Sequence, residues 1–354
     1  MPALIANIDN IQHNIEYLVN LCKQKNLELV GVIKSIGLNP ALIDLFQKAN
    51  IEFLGIDSVQ IAKKLHKTSN ANFLLVAMPS PHNAHDVVLH CKSSLNSEFE
   101  TIKALHVAAK KTKIMHEVIL MVEIGDLREG ILPEDLVKMI NDILALDSAY
   151  IKISGIGANL ACCSGVLPSL QNLTLLNTLA LNVENECNIK IDKVSVGGSV
   201  MLDWIENSSL PSKINQLRSG EAIVLGTIPG INKPHPNLKA DTFIFTGKVL
   251  EIKNKPSMPS GALGTNAFGI EPAFKNKGIR KRMILDFGAI HTIAQHLIPT
   301  HDNVVLIASN SNYTIYDITD CHHKFNIGDD INFKVTYASM VQSLMSPYVE
   351  CRVA

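Results

Sequence analysis

The chain has 354 residues, 47% of them hydrophobic and 18% charged, with a formal net charge of −1. That length exceeds what one core usually supports, and the near-neutral balance gives no electrostatic footprint for nucleic acid or an anionic membrane. Mean hydropathy is +0.17, spread over short apolar runs of which none is long enough to span a bilayer, and Met1-Pro2-Ala3 reads as no signal peptide. The seven cysteines are scattered, Cys162-Cys163 being the only close pair, and none has metal-like spacing. Reduced thiols in the cytoplasm and no metal are therefore expected.

From Ile11 to about residue 230, apolar runs alternate with helical patterns. Ile11, Ile15, Leu18, Val19 and Cys22 share one face of a first helix. Leu29-Val30-Gly31-Val32-Ile33 is a strand ending at Lys34 and the turn Ser35-Ile36-Gly37. Asn39-Pro40 reads as an N-cap with proline at the first helical position. Phe53 to Ile56 is the next strand, with Ser58 placed to cap the helix after it. Phe73 to Ala77 follows, then the short Ser94-Leu95, with Ser97-Glu98-Phe99-Glu100 as a capping box. Val118 to Val122 precedes a loop and a helix starting near Pro133. Ile151 to Ile156, Lys193 to Val196 and the segment around Leu217 complete eight units.

Eight strand-plus-helix units predict an α/β fold with an N-terminal (β/α)8 TIM-type barrel over residues 1–230. A doubly wound sheet is the alternative, disfavoured because no Gly-rich dinucleotide turn follows the first strand. Pro229 to Pro236 reads as a connection. Residues 243–252, 282–287, 304–308, 313–318 and 331–337 read as strands of a C-terminal β domain over 231–354. A leading strand, about residues 1–9, is left as an option for that domain.

Lys34 at the C-terminal rim of such a barrel is costly unless it has work to do, and a desolvated lysine there can form a Schiff base with an aldehyde. The bland alternative is a strand-end lysine that reaches solvent. Gly197-Gly198-Ser199 and Ser219-Gly220-Glu221-Ala222 follow the seventh and eighth strands, where backbone N–H groups cradle phosphate in barrels. Arg218 needs a partner, either a ligand or a structural carboxylate. Arg128 suits a bidentate hold on a substrate carboxylate, or is solvated in its charged loop. Asn159 can bond a ring edge or close an Asx turn. Cys162 and Cys163 are structural by default, with a catalytic thiol as the other reading.

These residues sit in longer stretches that carry a resemblance: Val30-Gly31-Val32-Ile33-Lys34, residues 94–105, residues 119–130, Gly155-Ile156-Gly157-Ala158-Asn159-Leu160, Leu217-Arg218-Ser219-Gly220-Glu221-Ala222, Gly278-Ile279-Arg280-Lys281-Arg282 and Ser346-Pro347-Tyr348-Val349-Glu350. In order and over nearly the whole chain, they resemble the two-domain alanine racemase-type fold III pyridoxal phosphate enzymes, nearest the ornithine racemase branch.

The resemblance implies that Lys34 holds pyridoxal 5′-phosphate and moves a proton. By the same resemblance Arg218 bonds the pyridine nitrogen, Gly220, Glu221 and Ser199 bind the phosphate, Arg128 lies near the substrate carboxylate, and Asn159 contacts the ring. It also implies a homodimer in which the β domain completes the partner's site. Two family tyrosines are missing. The loop after the lysine is Ser35-Ile36-Gly37-Leu38, and Gly261-Ala262-Leu263-Gly264-Thr265-Asn266 offers no second base. Gly197-Gly198-Ser199-Val200 stands where the ornithine branch has Gly-Gly-Asn-Ser. Cys162 is therefore taken as the second base, with Cys163 and Tyr313 as alternatives. The expected activity is racemisation of a basic or other non-alanine amino acid. Decarboxylation, aldol cleavage and non-catalytic cofactor handling are the rivals.

Overall fold

The computed structural model describes residues 1–66, 69, 71–231, 233–266 and 268–354. The chain divides into two compact units, Asp9–Ala240, and Met1–Ile8 together with Asp241–Ala354. In chain order β1 (Ala3–Ala6) and α1 (Ile8–Gln24) precede eight repeated units. These are β2 (Glu28–Val32) with α2 (Pro40–Lys48), β3 (Phe53–Ile56) with α3 (Val59–Leu65), β4 (Asn72–Leu75) with α4 (Ala84–His90), and β5 (Ser93–Asn96) with α5 (Phe99–Thr112). Then come β6 (His116–Met121) with α6 (Leu136–Leu144), β7 (Ile151–Asn159) with α7 (Leu170–Cys187), β8 (Lys193–Gly197) with α8 (Met201–Asn207), and β9 (Gln216–Ser219) with α9 (Glu221–Leu225).

Strands β2 to β9 are parallel and close into a barrel, β2 pairing β9 with Val30 opposite Arg218. The predicted eightfold architecture is thus observed. Its interior has two characters. Val30, Phe53, Leu74, Leu95, Ile119 and Met121, all from β2–β6, form one buried apolar cluster. Burying such side chains stabilises the barrel by about 1.5–3 kcal/mol each. On β7–β9 the inner positions include Gly157, Ser195, Gln216 and Arg218, so that wall is polar and glycine-lined. At the barrel's start Lys193 lies 4.0 Å over the Phe53 ring, 3.7 Å from Glu28 and 3.9 Å from Glu117.

Helix starts follow side-chain chemistry where the residue reaches the backbone. Asn39 accepts from the Leu42 N–H at 3.2 Å, and Ser58 from the Gln60 N–H at 3.2 Å, as the sequence predicts. The capping box at Ser97 is not formed. Helix α5 begins at Phe99 with no side-chain cap, because the Ser97 hydroxyl donates to Met78 Sδ at 2.9 Å instead. Near Pro133 the chain makes a 3-10 turn before α6.

A short pair, β10 (Thr227–Ile228) and β11 (Lys233–Pro234), ends the 9–240 unit; the other unit holds β12 (Phe243–Pro256), β13 (Ile279–Leu285), β14 (Leu297–Pro299), β15 (Val305–Ser309), β16 (Thr314–Asp317), β17 (Asp330–Val335), α10 (Tyr337–Met345) and β18 (Glu350–Val353). Asn232, inside the proline-rich connection expected from sequence, lies outside the described residues. The sheet runs β14-β17-β12-β13-β16-β15, and β1 joins it between β12 and β18. Phe245, Phe287, Phe333 and Tyr316 pack edge-on or tilted at its centre, with ring centroids 4.9 to 6.5 Å apart. Among the described residues no helix is long and apolar enough to cross a membrane.

Candidate active site

The closing strands set one row of residues across the polar wall. Asn159 pairs with Gly197, Gly197 with Arg218, and Arg218 with Val30. Asn159 and Gly197 are the last residues of their strands, one to three places beyond where the sequence patterns end. Arg218 is 3% exposed. Its Nη1 donates to Ser195 Oγ at 2.5 Å, and its Nη2 to the Ala158 carbonyl at 2.8 Å and Asn159 Oδ1 at 2.9 Å. All three acceptors are neutral, so the structural ion pair weighed as an alternative is not what holds it. Burial pulls the guanidinium down to about 10, partly offset by the Glu129 carboxylate. It remains a cation at neutral pH.

Glycine makes room for that guanidinium. A Cβ on Gly197 would sit 2.7 Å from Arg218 Nη2 and 2.7 Å from Asn159 Oδ1. One on Gly157 would lie 2.8 Å from the Ser195 carbonyl and 3.3 Å from Arg218 Nη1. Arg218 is thus a buried cation fixed by neutral acceptors, with its flanks cleared by glycine.

A second set continues outward from Asn159. Its Nδ2 donates to Glu129 Oε1 at 2.6 Å. Glu129 takes Nε and Nη2 of Arg128, and Arg128 Nη1 reaches Cys162 Sγ at 2.7 Å. The bond to Glu129 raises the Arg128 guanidinium above its ordinary range. Cys162 and Cys163 are exposed, in the loop that follows β7. Asp126, 3% exposed, anchors that loop. Its carboxylate accepts from the N–H groups of Cys162 at 3.1 Å, Cys163 at 3.1 Å and Ser164 at 3.4 Å.

Lys34 opens a 3-10 turn, Lys34–Ile36, two residues past β2. Gly37 ends it at φ 59°, a conformation that glycine adopts without strain. Lys34 Nζ makes no hydrogen bond or ion pair among the described residues. Gly220 packs on the same strand, since a Cβ there would lie 3.0 Å from the Val32 carbonyl. Ser199 Oγ accepts from the Ala222 N–H at 2.9 Å and lies 2.9 Å from Ser219 Oγ, which ties the turn after β8 to the turn after β9. The Glu221 side chain turns aside to accept from Thr227 Oγ1 at 2.9 Å, and burial raises its carboxyl. Its backbone N–H, with that of Gly220, begins α9 and has no helical carbonyl to meet.

The residues singled out in the sequence therefore fall into two hydrogen-bonded groups on one barrel. Asn159, Arg218, Arg128 and Cys162 form one, and Ser199, Gly220 and Glu221 lie along the other, beside the Lys34 strand. Ser195, Glu129 and Asp126 were not singled out. Ser195 could have been found by strand alternation, two places before Gly197. Nothing in the local pattern marks the two carboxylates.

Residues 6–227 match the family described as alanine racemase, N-terminal domain. The chain is 33% identical to an ornithine racemase of Acetoanaerobium sticklandii over 99% of its length and 98% of the relative's. It is 31% identical to a lysine racemase of Thermotoga maritima, over 99% and 97%. The alanine racemase of Bartonella henselae, solved with covalently bound pyridoxal phosphate, superposes with a TM-score of 0.76 at 15% identity, covering 100% of this chain and 99% of that one. A D-threonine aldolase from Filomicrobium marinum gives 0.74 at 12%, over 97% and 89%, so the fold alone is shared across several reactions. By its matched domain and its full-length relatives, this chain belongs to the alanine racemase N-terminal domain family.

Proposed function

We propose that the protein is a pyridoxal phosphate-dependent amino-acid racemase acting on a basic, ornithine-like amino acid. The observation that carries the reading is Arg218, buried and cleared by glycines, on the same barrel as a Lys34 whose Nζ has no partner among the described residues. Two racemases of basic amino acids, similar along nearly the whole chain, support it. The residues fit the cofactor. Arg218 Nε takes no part in the three bonds that fix Nη1 and Nη2, and it would be the donor for the pyridine nitrogen. Gly220, Glu221 and Ser199 would hold the phosphate, Asn159 would contact the ring, and Lys34 would hold the cofactor covalently.

Bound pyridoxal phosphate supplies an electron-accepting ring that acidifies the Cα–H of an attached amino acid. Arg218, a cation near pH 7, would donate to the ring nitrogen without giving up its proton, which would keep the ring a moderate acceptor and favour proton return. Arg128 orients the substrate carboxylate. Lys34 Nζ removes or returns the α-proton on one face, and Cys162 Sγ serves the other, since inversion needs a proton carrier on each side. The unpaired thiols fit a cytoplasmic location. A homodimer in which the β domain, expected from the sequence over 231–354 and forming a compact unit over Met1–Ile8 and Asp241–Ala354, completes the partner's site is part of the same reading.

The test is proton NMR in deuterium oxide with pyridoxal phosphate and single L-amino acids, ornithine and lysine first. Loss of the α-proton with appearance of the D-enantiomer on a chiral column is the expected result. Cofactor binding without α-exchange across the panel would overturn it, and carbon dioxide or aldehyde release would indicate a different reaction.

A further inference from the structure

We infer that Glu129 is the positioning residue that joins the substrate arm of the site to its cofactor arm; this rests on the racemase reading above. Its side chain is 11% exposed. One oxygen accepts from Asn159 Nδ2, and both oxygens are engaged by Arg128 through Nε and Nη2. The carboxylate thus lies between two residues that would each touch a different ligand.

The chemistry of the three groups leaves one arrangement. Arg218 can only donate, so Asn159 must turn Oδ1 toward it, at 2.9 Å. The amide's other end, Nδ2, can then only donate, and it needs an acceptor on the far side. Glu129, ionised, only accepts, and meets it at 2.6 Å. The same carboxylate holds the Arg128 fork by two of its nitrogens and leaves Nη1 directed to Cys162 Sγ at 2.7 Å. Bidentate carboxylate–guanidinium contact fixes the plane of the fork as well as its distance. Arg128 is exposed on an irregular loop, with the left-handed Leu127 just before it, and has no regular element of its own to position it. Glu129 supplies that anchor. Without it Arg128 would sweep many rotamers, and Asn159 would lose the partner that steadies it against Arg218.

Pyridoxal phosphate affinity and amino-acid kinetics of wild type, Glu129→Gln, Asn159→Ala, Arg128→Ala and the corresponding double variants test this. Glu129→Gln keeps the size but removes the charge that both partners use. It is expected to weaken cofactor affinity ~10-fold and to raise KM for the amino acid ~10-fold, with a smaller change in kcat, as losing charge-assisted hydrogen bonds of this kind implies. Because the residue acts through its partners, Glu129→Gln should add little cofactor effect on Asn159→Ala and little KM effect on Arg128→Ala. Glu129→Asp keeps the charge but is one methylene too short to span both, and should show the same two-sided loss if Glu129→Gln folds poorly. Cofactor affinity and KM within about twofold of wild type, or losses that simply add in the double variants, would overturn the inference. If the wild type binds cofactor but exchanges no α-proton, the racemase reading fails, and the cofactor arm of the cycle still decides the role of Glu129.

Discussion

Asn159 Oδ1 accepts from Arg218 Nη2 at 2.9 Å, and the two residues flank Gly197 across three adjacent strands. The guanidinium is therefore fixed by neighbours from β7 and β8 and not by a carboxylate. Replacing it with lysine tests that geometry. An ammonium cannot reach Ser195 Oγ, the Ala158 carbonyl and Asn159 together while also donating to a ring nitrogen. Arg218→Lys is expected to lower cofactor affinity and α-proton exchange each ~10-fold or more, the scale of lost charged hydrogen bonds. Absorbance titration with pyridoxal phosphate and exchange rates measure the two effects, and an unchanged affinity would contradict the assignment.

Cys162 gives a prediction in which two readouts separate. If its thiol serves the face opposite Lys34, Cys162→Ala should still wash deuterium into the α-position of one enantiomer, because Lys34 alone can remove and return that proton. Inversion should fall ~100-fold or more, the scale of a missing general acid–base group. Lys34→Ala should abolish both. Chiral chromatography beside proton NMR distinguishes the outcomes, and equal loss of exchange and inversion in Cys162→Ala would assign the thiol some other task.

The barrel was legible in the chain because parallel strands covered on both sides read as unbroken apolar runs, as in Leu29 to Ile33 and Phe53 to Ile56. Caps at Asn39 and Ser58 were legible because one side chain bonds its own helix. At Ser97 the same local signal failed, since its hydroxyl found Met78 in space, 19 residues away in sequence. Helix α10 was missed because its box pairs Thr336 with Ser339 and not with Glu or Gln, while the residues before it continue a strand pattern. Arg218, Lys34 and the glycine turns stood out because each is costly or rare where it sits. Glu129 and Asp126 did not, because a carboxylate in a loop of mixed charge is normally solvated. Only the approach of Asn159 at the end of β7, and of Cys162 and Cys163 in the loop after it, supplies their partners.

Asp126 illustrates what such a residue does. Three successive N–H groups, of Cys162, Cys163 and Ser164, converge on its carboxylate, and Ser164 Oγ adds a fourth donor at 3.3 Å. Removing it strands donors that are otherwise satisfied. Asp126→Ala should lower the local opening free energy of this loop by about 2 kcal/mol, giving roughly 30-fold faster amide exchange at residues 162–164 than in wild type. Hydrogen-exchange mass spectrometry reads this directly, and helices remote from the loop should be unaffected. Uniform acceleration through the barrel would instead mark Asp126 as a global stability residue.

His116 makes the barrel sensitive to acid. It is fully buried, with Nε2 2.7 Å from Ser94 Oγ and Nδ1 3.1 Å from the Cys91 carbonyl. Burial pushes its imidazole down to about 4, the Cys91 carbonyl opposing and nearby Lys92 adding to the shift. The unfolded chain, with an ordinary imidazole near 6.5, binds the proton first as pH falls. Between about 6.5 and 4 the unfolded state therefore holds more protons, and stability declines with falling pH. The contribution at stake is roughly 3 kcal/mol over that window, fully retained above it. Urea midpoints at pH 7 and pH 4.5 should differ accordingly, and His116→Asn should flatten the difference. If the wild type and His116→Asn lose stability in parallel, the acid sensitivity lies in other groups and His116 is only a packing residue.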